Sequence, residues 1–299
     1  MTTLVIVESP GKVKKISALL GAGYKVAASV GHVRDLPKKE TGIAPPDFRL
    51  AYEPTERGRD VLARLKKDVA AADSVLLATD PDREGEAIAW HLADALHLKN
   101  PRRVTFTAIT KTAIEAAIAA PRDIDMALVR AQEARRALDR MVGYRVSPEL
   151  SRRAGQALSA GRVQSPAVRL VVDRERAIAA FKVTEHYGAE LVFANDDGTN
   201  WKAAWDTKPH LQEGQEYIMD AELAKRVADV RAVTVATFED TEKGRAPAAP
   251  FTTSTLQQVA GRKLKFKPKR TMELAQRLYE QGAITYQVRR KTPSFRAGI

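Results

Sequence analysis

Short apolar runs alternate with stretches of helical period over the first 120 residues. Thr3–Glu8, Lys25–Ser29, Ser74–Ala78 and Arg103–Phe106 read as strands, while residues near 12–20, 56–70, 84–96 and 110–119 repeat their apolar positions at helix spacing. Runs apolar on both faces suit parallel strands covered from two sides, and their alternation with helices predicts an α/β domain over 1–120. From Ile124 the period is helical: Met126, Val129, Ala137, Leu138 and Met141, then Val168, Leu170, Val171 and Ile178, mark a helical domain over 121–182. Residues 183–242 read as a small β-rich module, with turns at Asn195–Gly198 and Lys208-Pro209, one short helix near 220–229 and a closing strand at Val233–Thr237. The proline-rich stretch Glu242–Pro250 has neither period and marks a linker. Beyond it, over 250–299, Thr253–Leu264 and Thr271–Gln281 form two amphipathic patterns, and Gly282 is placed to stop the second.

Composition sharpens this picture in three ways. The chain has 299 residues, 44% of them hydrophobic, enough for two or more domains with ordinary cores. Its formal charge of +12 favours a polyanionic partner through phosphate neutralisation and counterion release. It has no cysteine, which excludes disulfides and thiolate zinc sites. No charged-then-apolar leader and no apolar run of about 18 residues is present, so the expected location is the cytoplasm rather than a membrane.

The chemistry concentrates after the run Ser74–Leu77, where Asp80, Asp82 and Glu84 follow one another at alternate positions. Acids in this arrangement suit a hard cation such as Mg2+, which takes a few carboxylates and leaves its other positions to water or phosphate. Asp80 and Asp82 also suit a plain helix cap. Glu8, closing the first strand, supplies a further acid, and two parallel strands ending in acids meet at the sheet edge where open α/β folds bind ligands. Ser9-Pro-Gly-Lys12 lacks the G-x-x-x-x-G-K-[ST] spacing of a nucleotide loop, so no ATP site is expected. Lys12 still offers a point charge to phosphate.

Val5-Ile-Val-Glu-Ser-Pro-Gly-Lys12 with Asp80-Pro-Asp-Arg-Glu-Gly-Glu86 resembles the Toprim domain of bacterial type IA DNA topoisomerases. Gly31-His-Val-Arg-Asp-Leu36, Gln132-Glu-Ala-Arg-Arg-Ala-Leu-Asp139 leading to Gly143-Tyr144, Leu158-Ser-Ala-Gly-Arg-Val-Gln-Ser165 and Gly282-Ala-Ile-Thr-Tyr286 follow in the family's order. The resemblance implies a Toprim domain, a helical domain, a β-rich arch segment and a tyrosine-bearing helical domain. It also implies ATP-independent, Mg2+-dependent cleavage and resealing of one strand of negatively supercoiled DNA by a monomer. In that scheme Tyr286 attacks a phosphodiester and keeps the 5′-phosphate. Glu8 handles the proton at the leaving 3′ oxygen, and Glu8, Asp80, Asp82 and Glu84 hold Mg2+. Lys12 and Arg83 steady the scissile phosphate. His32, Arg135, Asp139, Tyr144 and the run Ser159, Ala160, Gly161, Arg162, Val163 and Gln164 contact DNA. Arg135 and Asp139, four apart, are expected to pair on one helix face, and Ser159 doubles as a helix cap.

After Tyr286 the chain departs from the family's Met-Arg-Thr-Asp-Ser, with Val288 where the arginine is usual; Arg289 and Arg290 are its nearest substitutes. The family carries several hundred further residues that close a ring around DNA, so a truncated or frameshifted product is expected, with strand passage in doubt. Two rival readings stay open: a non-catalytic DNA-binding remnant, and a Toprim nuclease that needs no Tyr286.

Overall fold

A computed structural model describes residues 1–286. The positions of Val288, Arg289 and Arg290 lie outside the described residues. The chain divides into two compact units, Met1–Pro166 with the described part of Ala248–Ile299, and Ala167–Pro247.

The first unit begins with β1 (Thr3–Val7), α1 (Pro10–Leu20) and β2 (Tyr24–Ala28). Four two-residue strands follow in two small antiparallel pairs: β3 (Arg34–Asp35) with β6 (Glu53–Pro54), and β4 (Ile43–Ala44) with β5 (Arg49–Leu50). Then come α2 (Glu56–Ala70), β7 (Ser74–Ala78), α3 (Arg83–Ala95), β8 (Arg102–Arg103), α4 (Lys111–Ala119) and the long α5 (Met126–Ala154). The main sheet is parallel throughout, in the order β2-β1-β7-β8. Its two-residue side chain period builds two cores. Leu4 and Ile6 face one way, onto Leu65 of α2 and Ile88 and Leu92 of α3; Val5 and Val7 face the other, onto Ile16 and Ile114 of α1 and α4. All are within 2% of full burial, which is why Leu4 to Val7 of β1 are all apolar.

Helix starts follow local chemistry. Ser9, Thr55, Asp82, Thr110 and Asp125 each accept a first-turn backbone N–H as N-cap, and Pro10 sits where its missing N–H costs nothing. Toward the end of this unit, α8 (Thr253–Leu264) and α9 (Pro268–Glu280) form a helical hairpin, and the buried Tyr279 carries α9 into the Val5 and Val7 core.

In the second unit α6 (Gln164–Ala179) enters from the first, the hairpin β9 (Glu190–Ala194) and β10 (Asn200–Ala204) turns at Asn195–Gly198, and α7 (Ala221–Ala228) follows a bridge between Tyr187 and Ile218. Its strand content is smaller than the pattern suggests. Val233–Thr237 alternates like a strand yet has no partner strand among the described residues, and pairing rather than alternation makes a strand.

Candidate active site

Glu8 is the first residue beyond β1. Because Val7 pairs with Ala78 of the adjacent β7, Glu8 and the segment Thr79–Asp82 leave the sheet side by side at its carboxyl edge. Burial, and then the charge of Asp80, raise the pKa of Glu8 to about 7, with Asp82 adding and Lys12 opposing. At neutral pH this acid therefore exists in both protonation states. Burial also raises the pKa of Asp80, against the opposing charge and hydrogen bond of Lys12.

Lys12 lies inside the acid cluster. It is fully buried, its Nζ is bonded to Asp80 Oδ1, and the same ammonium lies 5.0 Å from the centre of the Tyr279 ring. In this arrangement it is a counterion of the acids. Arg83, by contrast, is exposed and makes no ion pair among the described residues.

Asp82 does two jobs. Its Oδ1 accepts from Gly85 N (2.8 Å), starting α3, and its Oδ2 accepts from the Tyr286 hydroxyl (2.7 Å). Gly85 has no space for a side chain, because a Cβ there would run into the backbone of Asp80. Glu84 turns away from the other acids: its Oε1 lies 2.7 Å from His32 Nε2, a bond that raises the His32 pKa and lowers that of Glu84. The charge of Arg135 also lowers the Glu84 pKa, bringing the first residue of α5's expected pair to the site.

Tyr286 reaches the acids over 204 residues of chain. Gly282 ends α9 in the left-handed region (φ 73°) with its Cα packed on Ile109, where a Cβ would lie 2.6 Å from the carbonyl oxygen. Tyr286 N donates to Thr107 O (2.7 Å), and its ring meets Tyr279 edge-on at 5.0 Å. Burial, then the bond to Asp82 and the charges of Asp80 and Glu8, push the phenol's pKa up. The resting phenol is thus protonated, with its proton aimed at a carboxylate.

Three further expected residues converge. Asp139 accepts from Arg162 Nε (2.9 Å) and lies 3.9 Å from Arg135 Nε, so α5 and the loop before α6 share one ion-pair group. Ala160 is fastened through both backbone groups to Ser147 Oγ. Ser159 is not a helix cap: α6 starts only at Gln164, whose side chain bonds Ser159 Oγ. Gly161 N donates to Ser165 Oγ (3.3 Å), and Val163 is exposed. Tyr144 donates to Lys38 O (2.8 Å) beneath the Arg140 guanidinium, tied to a surface loop rather than to the acids.

The sequence reading missed the residue that anchors the acid segment. Arg103, in β8, is fully buried and donates to the carbonyls of Leu77, Thr79, Asp80 and Val104 and to Glu86 Oε2. Burial opposes the charge of Glu86, yet bonds from Arg122 and Asp125 N and the charge of Arg103 keep its pKa low. Glu86 is therefore committed to structure. An arginine opening the short strand-like run Arg103–Phe106 is the one sequence signal that pointed here. Nor was a second group foreseen, in which Arg34 donates to His91 Nδ1, pairs with Asp94 and lies over the rings of Tyr52 and Trp90.

Among the described residues no three acidic or histidine side chains already stand at metal-binding spacing. The donor set nonetheless fits a hard divalent ion: Glu8, Asp80 and Asp82 offer only carboxylate oxygens, and their mutual repulsion is only partly relieved by Lys12 and Arg103.

Residues 3–109 match the family model of the Toprim domain, and residues 123–289 match that of DNA topoisomerase. The chain is 60% identical over 285 residues to a protein named "DNA topoisomerase I, plasmid" from Xylella fastidiosa (strain 9a5c), covering 95% of this chain and 43% of that one. The solved structure of full-length topoisomerase I from Thermotoga maritima superposes with a TM-score of 0.82 at 40% identity, over 95% of this chain and 48% of its own. The chain thus spans less than half the length of these relatives.

Proposed function

The chain belongs to the DNA topoisomerase family, with a Toprim domain as its first part, and from that premise we propose that it cleaves and reseals one strand of DNA through Tyr286. The carrying observation is the 2.7 Å hydrogen bond from the Tyr286 hydroxyl to Asp82, which sets a phenol against the acidic edge of the Toprim sheet.

The Tyr286 hydroxyl gives its proton to Asp82 as the phenolic oxygen attacks phosphorus, the bond from phosphorus to the 3′ oxygen breaks, and the 5′-phosphate stays on Tyr286. The departing 3′ oxygen takes a proton, and Glu8, poised near pH 7, is the group suited to give it. Resealing runs the same steps backwards, so the phosphotyrosine conserves the bond without ATP. Glu8, Asp80 and Asp82 are the residues to hold Mg2+, with Glu84 joining them if it leaves His32; the ion would offset their charge and offer phosphate an electrophilic contact. Arg83, exposed beside the acids, is the cation free to meet the scissile phosphate. Arg135, Asp139 and Arg162 form the charged wall along which the single strand lies, with His32 and the 159–164 loop beside it. Negatively supercoiled DNA is the substrate that the family resemblance implies; for the present chain, cleavage and resealing are the steps its residues support.

Incubating the chain with a 3′-labelled single-stranded oligonucleotide and Mg2+, then denaturing, tests this. A labelled covalent adduct lost in Tyr286→Phe is expected. Tyrosine-independent nicking would replace the proposal with a nuclease, and binding without strand breakage would leave a non-catalytic DNA binder.

A further inference from the structure

The corner between α8 and α9 is the most one-sided charge on the chain. Of its nine residues from 262 to 270, Arg262, Lys263, Lys265, Lys267, Lys269 and Arg270 are basic and none is acidic. All six are exposed, and only Arg270 makes an ion pair among the described residues, with Glu273 at 3.7 Å. We propose that this corner is a second DNA-contact surface, one that grips the backbone phosphates of double-stranded DNA flanking the strand to be cut. The inference rests on the functional reading above for the identity of the polyanion, and goes beyond it in assigning a surface outside the catalytic group.

Two placements run against what local stability favours. Lys265 ends α8 in the left-handed region (φ 57°), a conformation cheapest for glycine. Lys267, Lys269 and Arg270 put three positive charges at the start of α9, the end of a helix that repels them, and its first turn has no acid. Sequences that break local rules without a compensating contact do so where a ligand supplies one. Lysines are point charges for phosphate, suited to contact without base recognition. The corner has one aromatic, Phe266, itself only half-exposed, whereas surfaces that grip single strands offer successive rings for bases to stack on. The chemistry therefore favours a duplex.

The test compares the full chain with a Lys263→Gln, Lys265→Gln, Lys267→Gln, Lys269→Gln variant. Fluorescence anisotropy follows binding to a blunt duplex and to a single strand across a salt series. Each lost phosphate contact should flatten the duplex salt dependence by about 0.9, so a change of about 3.6 in slope for the four lysines and a tenfold or greater loss of duplex affinity are expected. Single-strand binding and the Tyr286 adduct should stay within about twofold. The fourfold Lys→Arg variant should restore the slope, and Lys265→Gly alone should raise Tm while weakening duplex binding, opposite signs that a purely structural lysine would not give. An unchanged duplex slope overturns the proposal, as does an equal loss on single strands. So does equally tight, lysine-dependent binding to phosphatidylserine vesicles, which would make the corner a lipid contact. Failure of adduct formation in the unaltered chain would sink the functional reading instead, and the duplex slope would remain readable.

Discussion

Replacing Arg103 with leucine should do more damage than any change at the exposed acids. The guanidinium is fully buried and holds five acceptors. In its absence Leu77 O keeps its bond from Val104 N, but the carbonyls of Thr79, Asp80 and Val104 lose the partner Arg103 gave them. Glu86, only 1% exposed, retains Arg122 and the Asp125 N–H. Stranding one member of a buried ion pair costs about 3–5 kcal/mol, and each orphaned buried acceptor about 1–3. These costs overlap, because the loop will relax toward solvent, so a net loss of about 4–6 kcal/mol is expected. That is a large part of the roughly 5–15 kcal/mol that holds a typical domain together. Urea unfolding followed at Trp90, in the affected unit, reads it directly; Trp201 and Trp205 belong to the other unit and are changed to phenylalanine in both proteins. The companion Glu86→Leu, Arg103→Leu protein removes both charges and frees the partly exposed Arg122 to reach water, so it should regain more than about 1 kcal/mol over the single variant. A loss below about 1.5 kcal/mol in the single variant, or no recovery in the double, would refute the buried-charge reasoning.

Gly85→Ala should cost about 1–3 kcal/mol or more and abolish adduct formation, since the added methyl meets backbone that cannot swing aside; thermal melts and the oligonucleotide assay check both. His91, 2% exposed and held neutral by burial and by the Arg34 charge, has its pKa depressed to about 3. Its stabilising contribution is complete above the unfolded value of about 6.5 and fades as pH falls toward 3, amounting to about 2 kcal/mol lost between pH 6.5 and 5. His91→Asn, which keeps a neutral acceptor for Arg34, should flatten that slope in urea titrations, and an unaltered slope would exclude His91 as its source. Mg2+ at 100 times its dissociation constant should add about 2.7 kcal/mol of stability, read as a rise in Tm. Most of that rise should vanish with Glu8→Gln and Asp80→Asn together; a full response in that variant would move the ion elsewhere.

The α/β alternation was legible because short runs that are almost wholly apolar have few alternatives, and the placing of Glu8 beside Asp80 followed from parallel strands sharing an edge. Helix limits came close too, and Asp82 is a cap that the sequence displays openly. The side chain partnerships were not legible. Nothing in the sequence shows that Lys12 is buried against Asp80, or that Glu86 is held by Arg103 and Arg122. Spacing tells which residues leave a strand together, while it cannot tell which of two nearby opposite charges a carboxylate will choose. The Val233–Thr237 alternation shows the same gap, since a strand needs a neighbour and the neighbour is a matter of the whole fold.

Gly282 and Tyr286 rest on the carbonyls of Ile109 and Thr107, and only the phenol reaches the acids themselves. This makes the tyrosine-bearing loop a latch rather than a weld. One backbone hydrogen bond, one hydroxyl bond, a ring edge against Tyr279 and the partly buried packing of Ile284 and Tyr286 on the core are fewer ties than the interlocked guanidinium beneath Asp80, and would let the loop release and re-form in the cycle proposed above. A broken strand would then have its two ends on separable supports, the 5′ end riding with the latch and the 3′ end left at the sheet. Fidelity of rejoining would depend on how reproducibly the latch finds its seat.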